Sequence, residues 1–270
     1  MHRQSQFLAR FEIAGIPCAL EGVADALVGL LAPTYADFAT DAPPAITLRV
    51  ELTPPPPDHE LRDWHGPFAR ITGAEGGLVV EGPGFRGAFD ERTGRGWIVQ
   101  PREPGPFETF LTAILAGHLL REGGVFLHAA AIAAPDGARV FFGPSESGKT
   151  TVSRLVGAGV ISDEYATVRR VGGRWRVSGV PWRGSRLEGP LAGLFRLRKA
   201  DATAFARLTP VAALRELAGS VLFARADGTE VAHFLEVAGA LVAETDCWEM
   251  RFTADRGFWS VLPQPARPAA

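Results

Sequence analysis

The feature that most restricts the fold of this chain is a glycine-rich loop at residues 143–150, GPSESGKT. It matches the G-x-x-x-x-G-K-[ST] pattern in full. An apolar stretch, RVFF, comes directly before the loop, and KTTVSRLV follows it up to a glycine. This order predicts a strand, a curled loop and a helix, which is a building unit of α/β folds.

The chemistry of the loop favours a bound phosphate group. Glycines let the backbone curl so that successive N–H groups point at an anion, and the following helix adds its positive dipole end. We therefore expect the loop to hold the phosphates of ATP or GTP, with Lys149 on the β- and γ-phosphates and the Thr150 hydroxyl on Mg²⁺. Pro144 has no N–H to offer. The predicted nucleotide-binding residues are Gly143, Ser145, Glu146, Ser147, Gly148, Lys149, Thr150 and Thr151.

Two acids and a histidine are the other candidates for chemistry. Asp163 and Glu164 end the apolar segment VISDE, and His128 interrupts the apolar stretch VFLHAAAIAA upstream of the loop. If the strand of His128 lies beside the loop strand, the imidazole is near the phosphates and can tune a carboxylate or contact the transferred group. The alternatives are a hydrogen-bonded core histidine and acids on the solvated surface.

Read in order, these segments resemble the catalytic domain of the bacterial HPr kinase/phosphorylase family. The resemblance rests on Phe126-Leu127-His128, the loop 143–150, and Ile161-Ser162-Asp163-Glu164, and it covers residues 120–200 best. It implies a phosphoenolpyruvate-carboxykinase-like nucleotide-binding fold, in which a mixed sheet is flanked by helices. It also implies phosphoryl transfer from ATP, with Mg²⁺, to a hydroxyl group.

The resemblance also implies roles for single residues. Asp163 matches the base that takes the proton of the acceptor hydroxyl, with His128 and Lys149 as the other catalytic residues. Glu164 matches an acid near the metal, where the family usually has Asp, and the roles of Asp163 and Glu164 could be exchanged. Glu188, in RLEGPLAGLF, corresponds loosely to a further glutamate near the metal. The expected metal-binding residues are thus Thr150, Glu164 and Glu188.

The domain organisation follows from a change of pattern along the chain. Short alternating segments with glycine-rich turns predict a mostly β N-terminal domain at 1–103. PREPGP marks the boundary to the predicted catalytic domain at 104–262, and residues 263–270 are expected to be a disordered tail.

The N-terminal half does not resemble the regulatory domain of the true HPr enzymes, so HPr is not the expected acceptor. The chain is more similar to divergent HPr-kinase-related proteins, some of which are associated with modification of ribosomally made peptides, including lasso peptides. A serine of a peptide or protein is therefore the expected acceptor. The family resemblance also suggests a homo-oligomer.

Composition excludes some classes of function. The formal net charge of −2 argues against nucleic-acid binding, which needs a basic excess. No apolar run reaches the roughly 18 residues of a membrane span, and the N-terminus has no signal-peptide core. Cys18 and Cys247 lack partners at metal-ligand spacing, and we expect buried thiols in a cytoplasmic protein.

Three alternatives to a peptide or protein kinase stay open at this point. The same site could phosphorylate a small-molecule hydroxyl, or work as a nucleotide-dependent switch or ATPase, or bind without catalysis. The segment VPWRGS, residues 180–185, could form a loop on the acceptor side, where Arg183 and nearby Arg186 would stabilise transition-state charge. A simple turn with a packed tryptophan is the other interpretation.

Overall fold

The computed structural model describes residues 10–22, 25–56, 69–74 and 76–263. The predicted tail therefore lies outside the described residues, apart from Pro263. The chain divides into two compact units: unit 1 comprises Met1–His118 and Phe223–Asp227, and unit 2 comprises Leu119–Leu222 and Gly228–Ala270. Each unit contains a sheet with parallel and antiparallel pairs, so the fold class is α/β, as predicted.

Unit 1 is built on a seven-stranded sheet, counted over the described residues, in the order β1-β2-β3-β7-β6-β5-β4. Its strands are β1 (Arg10–Ile13), β2 (Ile16–Glu21), β3 (Ile46–Leu52), β4 (Arg70–Ala74), β5 (Gly77–Gly82), β6 (Phe85–Asp90) and β7 (Arg95–Gln100). Helix α1 (Asp25–Tyr35) follows β2, and helix α2 (Pro104–Arg121) follows β7. Helix α2 carries the helical spacing of apolar residues in FETFLTAILAGHLL, whereas α1 contains Pro33.

Unit 2 contains the remaining strands and helices of the described chain. The strands are β8 (Gly124–Ala134), β9 (Gly137–Phe142), β10 (Val160–Ser162), β11 (Tyr165–Val171), β12 (Arg174–Gly179), β13 (Glu188–Lys199), β14 (Ala204–Arg207) and β15 (Cys247–Phe252). The helices are α3 (Lys149–Val156), α4 (Pro210–Ala218), α5 (Gly228–Glu244) and the one-turn α6 (Gly257–Ser260). A 3₁₀ turn, Pro181–Arg183, connects β12 to β13.

Two long strands of unit 2 change partners along their length. The first half of β8 pairs with β11, and its second half pairs with β9 and β10. Similarly, β13 pairs with β12 at its start and then runs parallel to β9 and β15. The loop 143–148 leaves β9 at the edge where the parallel strands β9, β13 and β15 all end.

An aromatic core lies behind the loop. Phe141, the penultimate residue of β9, stacks on Phe195 of β13 with ring centroids 5.3 Å apart. Phe252 of β15 meets Phe258 edge-on at 5.2 Å. Val152 of α3 is fully buried in the same cluster, so the helix after the loop is fixed by hydrophobic packing.

The two cysteines are free and buried, as predicted. Burial raises the pKa of the Cys18 thiol well above its ordinary value and that of Cys247 to about 12. Neither thiol is therefore activated for chemistry.

Candidate phosphate-binding site

The loop between β9 and α3 is curled back on itself. Gly143 has φ +150°, and a Cβ placed there would lie 2.9 Å from the hydroxyl oxygen of Ser147. The N–H of Ser147 donates to the carbonyl oxygen of Pro144 at 3.2 Å. Gly148 has φ +109° and precedes the helix, where a Cβ would approach the ring of Phe252 to 3.0 Å. Any side chain at 143 or 148 would therefore strain the loop or fill its interior.

Lys149 lies inside this curl. It is the first residue of α3, and its side chain turns back so that Nζ donates to the carbonyl oxygens of Gly143 at 2.9 Å and Pro144 at 3.0 Å. Burial lowers the pKa of its ammonium, and the carboxylate of Glu164 opposes that shift. An ammonium has three protons, so one remains for a ligand beyond the two carbonyl bonds.

Ser147 supplies an unsatisfied polar atom at the same place. Only 7% of the residue is exposed, and its Oγ has no hydrogen-bond partner among the described residues. Buried hydroxyls are normally bonded, so an orphaned one beside a buried ammonium indicates room for a ligand with acceptor oxygens. A phosphate group fits this requirement.

The remaining predicted loop residues lie at the mouth of the curl. Ser145, Glu146 and Thr150 are exposed, and Thr151 is half-buried in the first turn of α3. Glu146 has φ +63°, unusual for a residue with a side chain, so the loop carries backbone strain at its tip.

The two acids sit in a tight turn between β10 and β11. The fully buried Oγ of Ser162 accepts from the N–H of Glu164 at 3.3 Å and of Tyr165 at 2.9 Å, and donates to the carbonyl oxygen of Arg183 at 2.8 Å. The N–H of Asp163 also donates to that carbonyl, at 3.3 Å. Ser162 thus fixes the direction in which the acids leave the sheet.

Strand pairing places this turn beside the loop strand. The carbonyl oxygen of Glu164 accepts from the N–H of Ala129 at 2.9 Å, and Ala129 is paired with Phe142, the last residue before the loop. Two strand spacings separate the backbones of Glu164 and Phe142, about 10 Å. Within the sheet, β8 alone therefore separates the acid turn from the loop strand.

His128 lies between the acids and the loop. It is half-buried on β8, paired with Tyr165, and its N–H donates to the carbonyl oxygen of Ser220 at 2.7 Å. Burial and then the charge of Lys149 lower its pKa, while Glu164 raises it. The imidazole is therefore mainly neutral at pH 7.

Of the two acids, Glu164 is the one whose negative charge affects the pKa of Lys149 in the loop. Its charge opposes the pKa shifts of both Lys149 and His128, and its carboxylate pairs with Arg183 at 2.9 Å. Asp163 is half-buried, and its carboxylate has no hydrogen bond or ion pair with any described residue. The carboxylate of Glu164 is thus ion-paired, whereas that of Asp163 is bonded to no described residue.

The structure does not bring Glu188 to the loop. Its carboxylate pairs with Arg176 at 2.7 Å, at the start of β13. Pro190, two residues later, lies against the position of Gly137 at the beginning of β9. The loop starts at the other end of β9, about 17 Å away along the strand. We correct the sequence-based assignment accordingly and leave Glu188 out of the metal-binding residues.

One residue of the site carried no clear signal in the sequence. Ser162 directly precedes the two acids, and we expected no role for it from the sequence. Serine is nevertheless common in turns, because its hydroxyl can bond to the backbone two residues further on. The pairing of Arg183 with Glu164 joins segments 19 residues apart, and only the fold shows it.

A divalent metal would have few protein ligands here. Over the described residues, no group of three or more His, Cys, Asp or Glu side chains could hold a metal ion. Mg²⁺ usually takes one or two protein ligands and fills its other positions with water and substrate phosphates. Thr150, in the first turn of α3, and Glu164, in the acid turn, remain the metal ligands expected from the sequence.

Comparison with known proteins adds no assignment. The chain matches no protein-family model, and no curated protein matches it either. None of the helices in the described part of the chain is long and apolar enough to cross a membrane.

Proposed function

We propose that this protein is an ATP-dependent kinase that transfers the γ-phosphoryl group to a hydroxyl, with a serine of a peptide or protein as the acceptor. The observation that carries the proposal is the buried Lys149 ammonium inside a curled glycine loop, with Glu164 acting on it from across β8. The choice of a peptide or protein acceptor rests on the resemblance to HPr-kinase-related proteins.

The loop residues bind and orient the donor. The N–H groups of the loop, apart from that of Ser147, which bonds to Pro144, and the start of α3 would hold the phosphate oxygens. Lys149 keeps its position through the carbonyls of Gly143 and Pro144 and offers its remaining proton to a phosphate. The Ser147 hydroxyl supplies a further donor in the interior. ATP would supply the transferable phosphoryl group, and the Mg²⁺ bound with it would neutralise part of the phosphate charge.

The acid turn acts on the acceptor. Asp163 has the unengaged carboxylate, so it takes the proton from the acceptor hydroxyl. Glu164, whose charge acts on Lys149, is the acid that would hold the metal. Burial and then the charge of Lys149 lower the pKa of His128, so its imidazole is mainly neutral and adds no positive charge beside the acids. Positioning and electrostatics supply most of the catalysis in reactions of this kind.

Intact-mass analysis tests this function directly. The full chain is incubated with ATP, Mg²⁺ and serine-containing peptides, together with peptides encoded beside it. We expect one added phosphate with the wild type, none with Lys149→Ala, and none with Asp163→Asn despite retained nucleotide binding. Phosphate release without any mass shift would identify an ATPase instead. Product formed by Asp163→Asn at the wild-type rate would remove the base assignment.

A further inference from the structure

Arg183 and Glu164 form an ion pair at the rim of the candidate site. Nε of Arg183 lies 2.9 Å from Oε2 of Glu164, and the two side chains are 56% and 34% exposed. The backbones of both residues are tied to Ser162, through the Arg183 carbonyl and the Glu164 N–H. The backbone of Arg183 is therefore fixed beside the acid turn, and the guanidinium can move only by rotation of the side-chain bonds.

Arg183 and Lys149 act on the same carboxylate. Burial lowers the pKa of Lys149 inside the loop, and the charge of Glu164 opposes that shift while its carboxylate pairs with the guanidinium of Arg183. The carboxylate of Glu164 thus interacts with two cations: the ammonium of Lys149, which is fixed in the loop, and the guanidinium of Arg183, which lies at the rim of the site. One carboxylate therefore links the rim of the site, where Arg183 lies, to the ammonium in the loop.

Either partner of the ion pair between Arg183 and Glu164 can readily be replaced by another charged group. Exposed pairs of this kind are weak, because water competes with both partners. A divalent cation on Glu164 would repel the guanidinium and release it. The planar fork of an arginine matches phosphate oxygens in a two-pronged geometry, which lysine cannot reproduce.

We propose that Arg183 is a phosphoryl-binding residue: its guanidinium exchanges the carboxylate of Glu164 for the terminal phosphate of a nucleotide in the loop, and the released carboxylate would be free to hold Mg²⁺. This inference rests on the proposed function, since it needs a nucleotide in the loop. Arg183 then contacts a triphosphate but not a diphosphate, and it assists transfer by stabilising charge on the terminal group.

Calorimetry with two nucleotides tests the inference. The affinities of the full chain for ADP and for a non-hydrolysable ATP analogue are measured with and without Mg²⁺. For Arg183→Ala we expect the Mg²⁺-dependent affinity for the analogue to fall about tenfold, the size of one charge-assisted hydrogen bond, while the affinity for ADP stays within about twofold. The Mg²⁺ concentration needed for ADP binding should also fall, because a competitor for Glu164 has been removed.

A matched control is available in the same unit. Arg176 forms a similar exposed pair with Glu188, at the far end of β9 from the loop, so Arg176→Ala should leave both affinities unchanged. Arg183→Lys, which keeps the charge and is the safer variant for folding, should lose most of the preference for the analogue.

The outcomes separate the two proposals. If the wild type binds neither nucleotide, the proposed function fails and this inference fails with it. If the wild type binds both, but Arg183→Ala and Arg183→Lys keep the wild-type ratio of analogue to ADP affinity, this inference alone is overturned.

Discussion

Lys149 reaches back across its own loop, and its ammonium donates to the carbonyl oxygen of Gly143 at 2.9 Å. The bond joins the first helical residue to the first loop residue and so closes the curl around a positive charge. Burial lowers the pKa of that ammonium, which means that the folded chain bears a cost for keeping it charged there. A bound anion would offset this cost.

The two loop glycines should be required for ligand binding. At Gly143 and Gly148 a Cβ would enter the loop interior or press on Phe252, and both have positive φ. We expect Gly143→Ala and Gly148→Ala to weaken ATP binding at least tenfold, on the order of 1.4 kcal/mol. Isothermal titration calorimetry measures it.

Gly157 provides the control for backbone strain. It also has positive φ, +72°, but lies at the end of α3, where the nearest atom to a Cβ is 3.8 Å away. Gly157→Ala should strain the backbone to a similar extent and so lower thermal stability. The ATP affinity should stay unchanged. Equal loss of affinity in all three variants would assign the effect to stability rather than to the loop.

The two glutamates assigned to the metal from the sequence should behave differently. Glu164→Gln removes the acid that acts on Lys149, so more Mg²⁺ should be needed to support ATP binding. Glu188→Gln removes the charge that pairs with Arg176 and should leave the Mg²⁺ requirement unchanged. Titration of Mg²⁺ at constant ATP distinguishes the two, and a larger effect of Glu188→Gln would contradict the position of that residue.

His128 should titrate below its ordinary pKa of 6.5, because burial and the Lys149 charge disfavour the imidazolium. NMR of the imidazole protons measures the pKa. Lys149→Ala should raise it and Glu164→Gln should lower it further. A pKa above 6.5 in the wild type would contradict the described surroundings of the ring.

The same shift has a consequence for stability. Between the lowered folded pKa and 6.5, the unfolded chain binds more protons at His128 than the folded chain does. The free energy of unfolding should therefore fall as the pH drops through 6.5 in the wild type, and less so in His128→Gln. Urea denaturation at pH 7.5 and 5.5 tests this, and parallel behaviour of the two proteins would be evidence against it.

The aromatic core behind the loop should carry much of the stability of unit 2. Phe141 is fully buried and stacks on Phe195, so Phe141→Ala should lower the free energy of unfolding by about 3–5 kcal/mol. Val211, at the start of α4, is 79% exposed, and Val211→Ala should change stability by less than about 0.5 kcal/mol. Urea denaturation of both variants provides the comparison.

Local patterns in the sequence were enough for the parts of the site that lie on single segments. RVFF and KTTVSRLV form β9 and α3, and VFLHAAAIAA forms β8. Their apolar periodicity and glycine stops are local signals, which a chain keeps whatever its topology. The position of Asp163 and Glu164 at a strand end was predicted for the same reason.

Long-range contacts could not be predicted in this way. No local pattern indicates that β13 is one strand of 12 residues, because its glycines and proline hide the alternation. That strand takes Glu188 to the far end of β9. The contact of Gly148 with Phe252 and the pairing of Glu164 with Arg183 depend on which strands are neighbours, and spacing along the chain does not encode that.

The most direct test of the central claim is calorimetric titration of Mg²⁺–ATP into the full-length wild type and Lys149→Ala. The account predicts saturable binding of one nucleotide per chain to the wild type and affinity at least about tenfold weaker in the variant, since a buried charge on phosphate is lost. Equal affinity of the two proteins, or no binding to a folded wild type, would contradict a phosphate site in the loop.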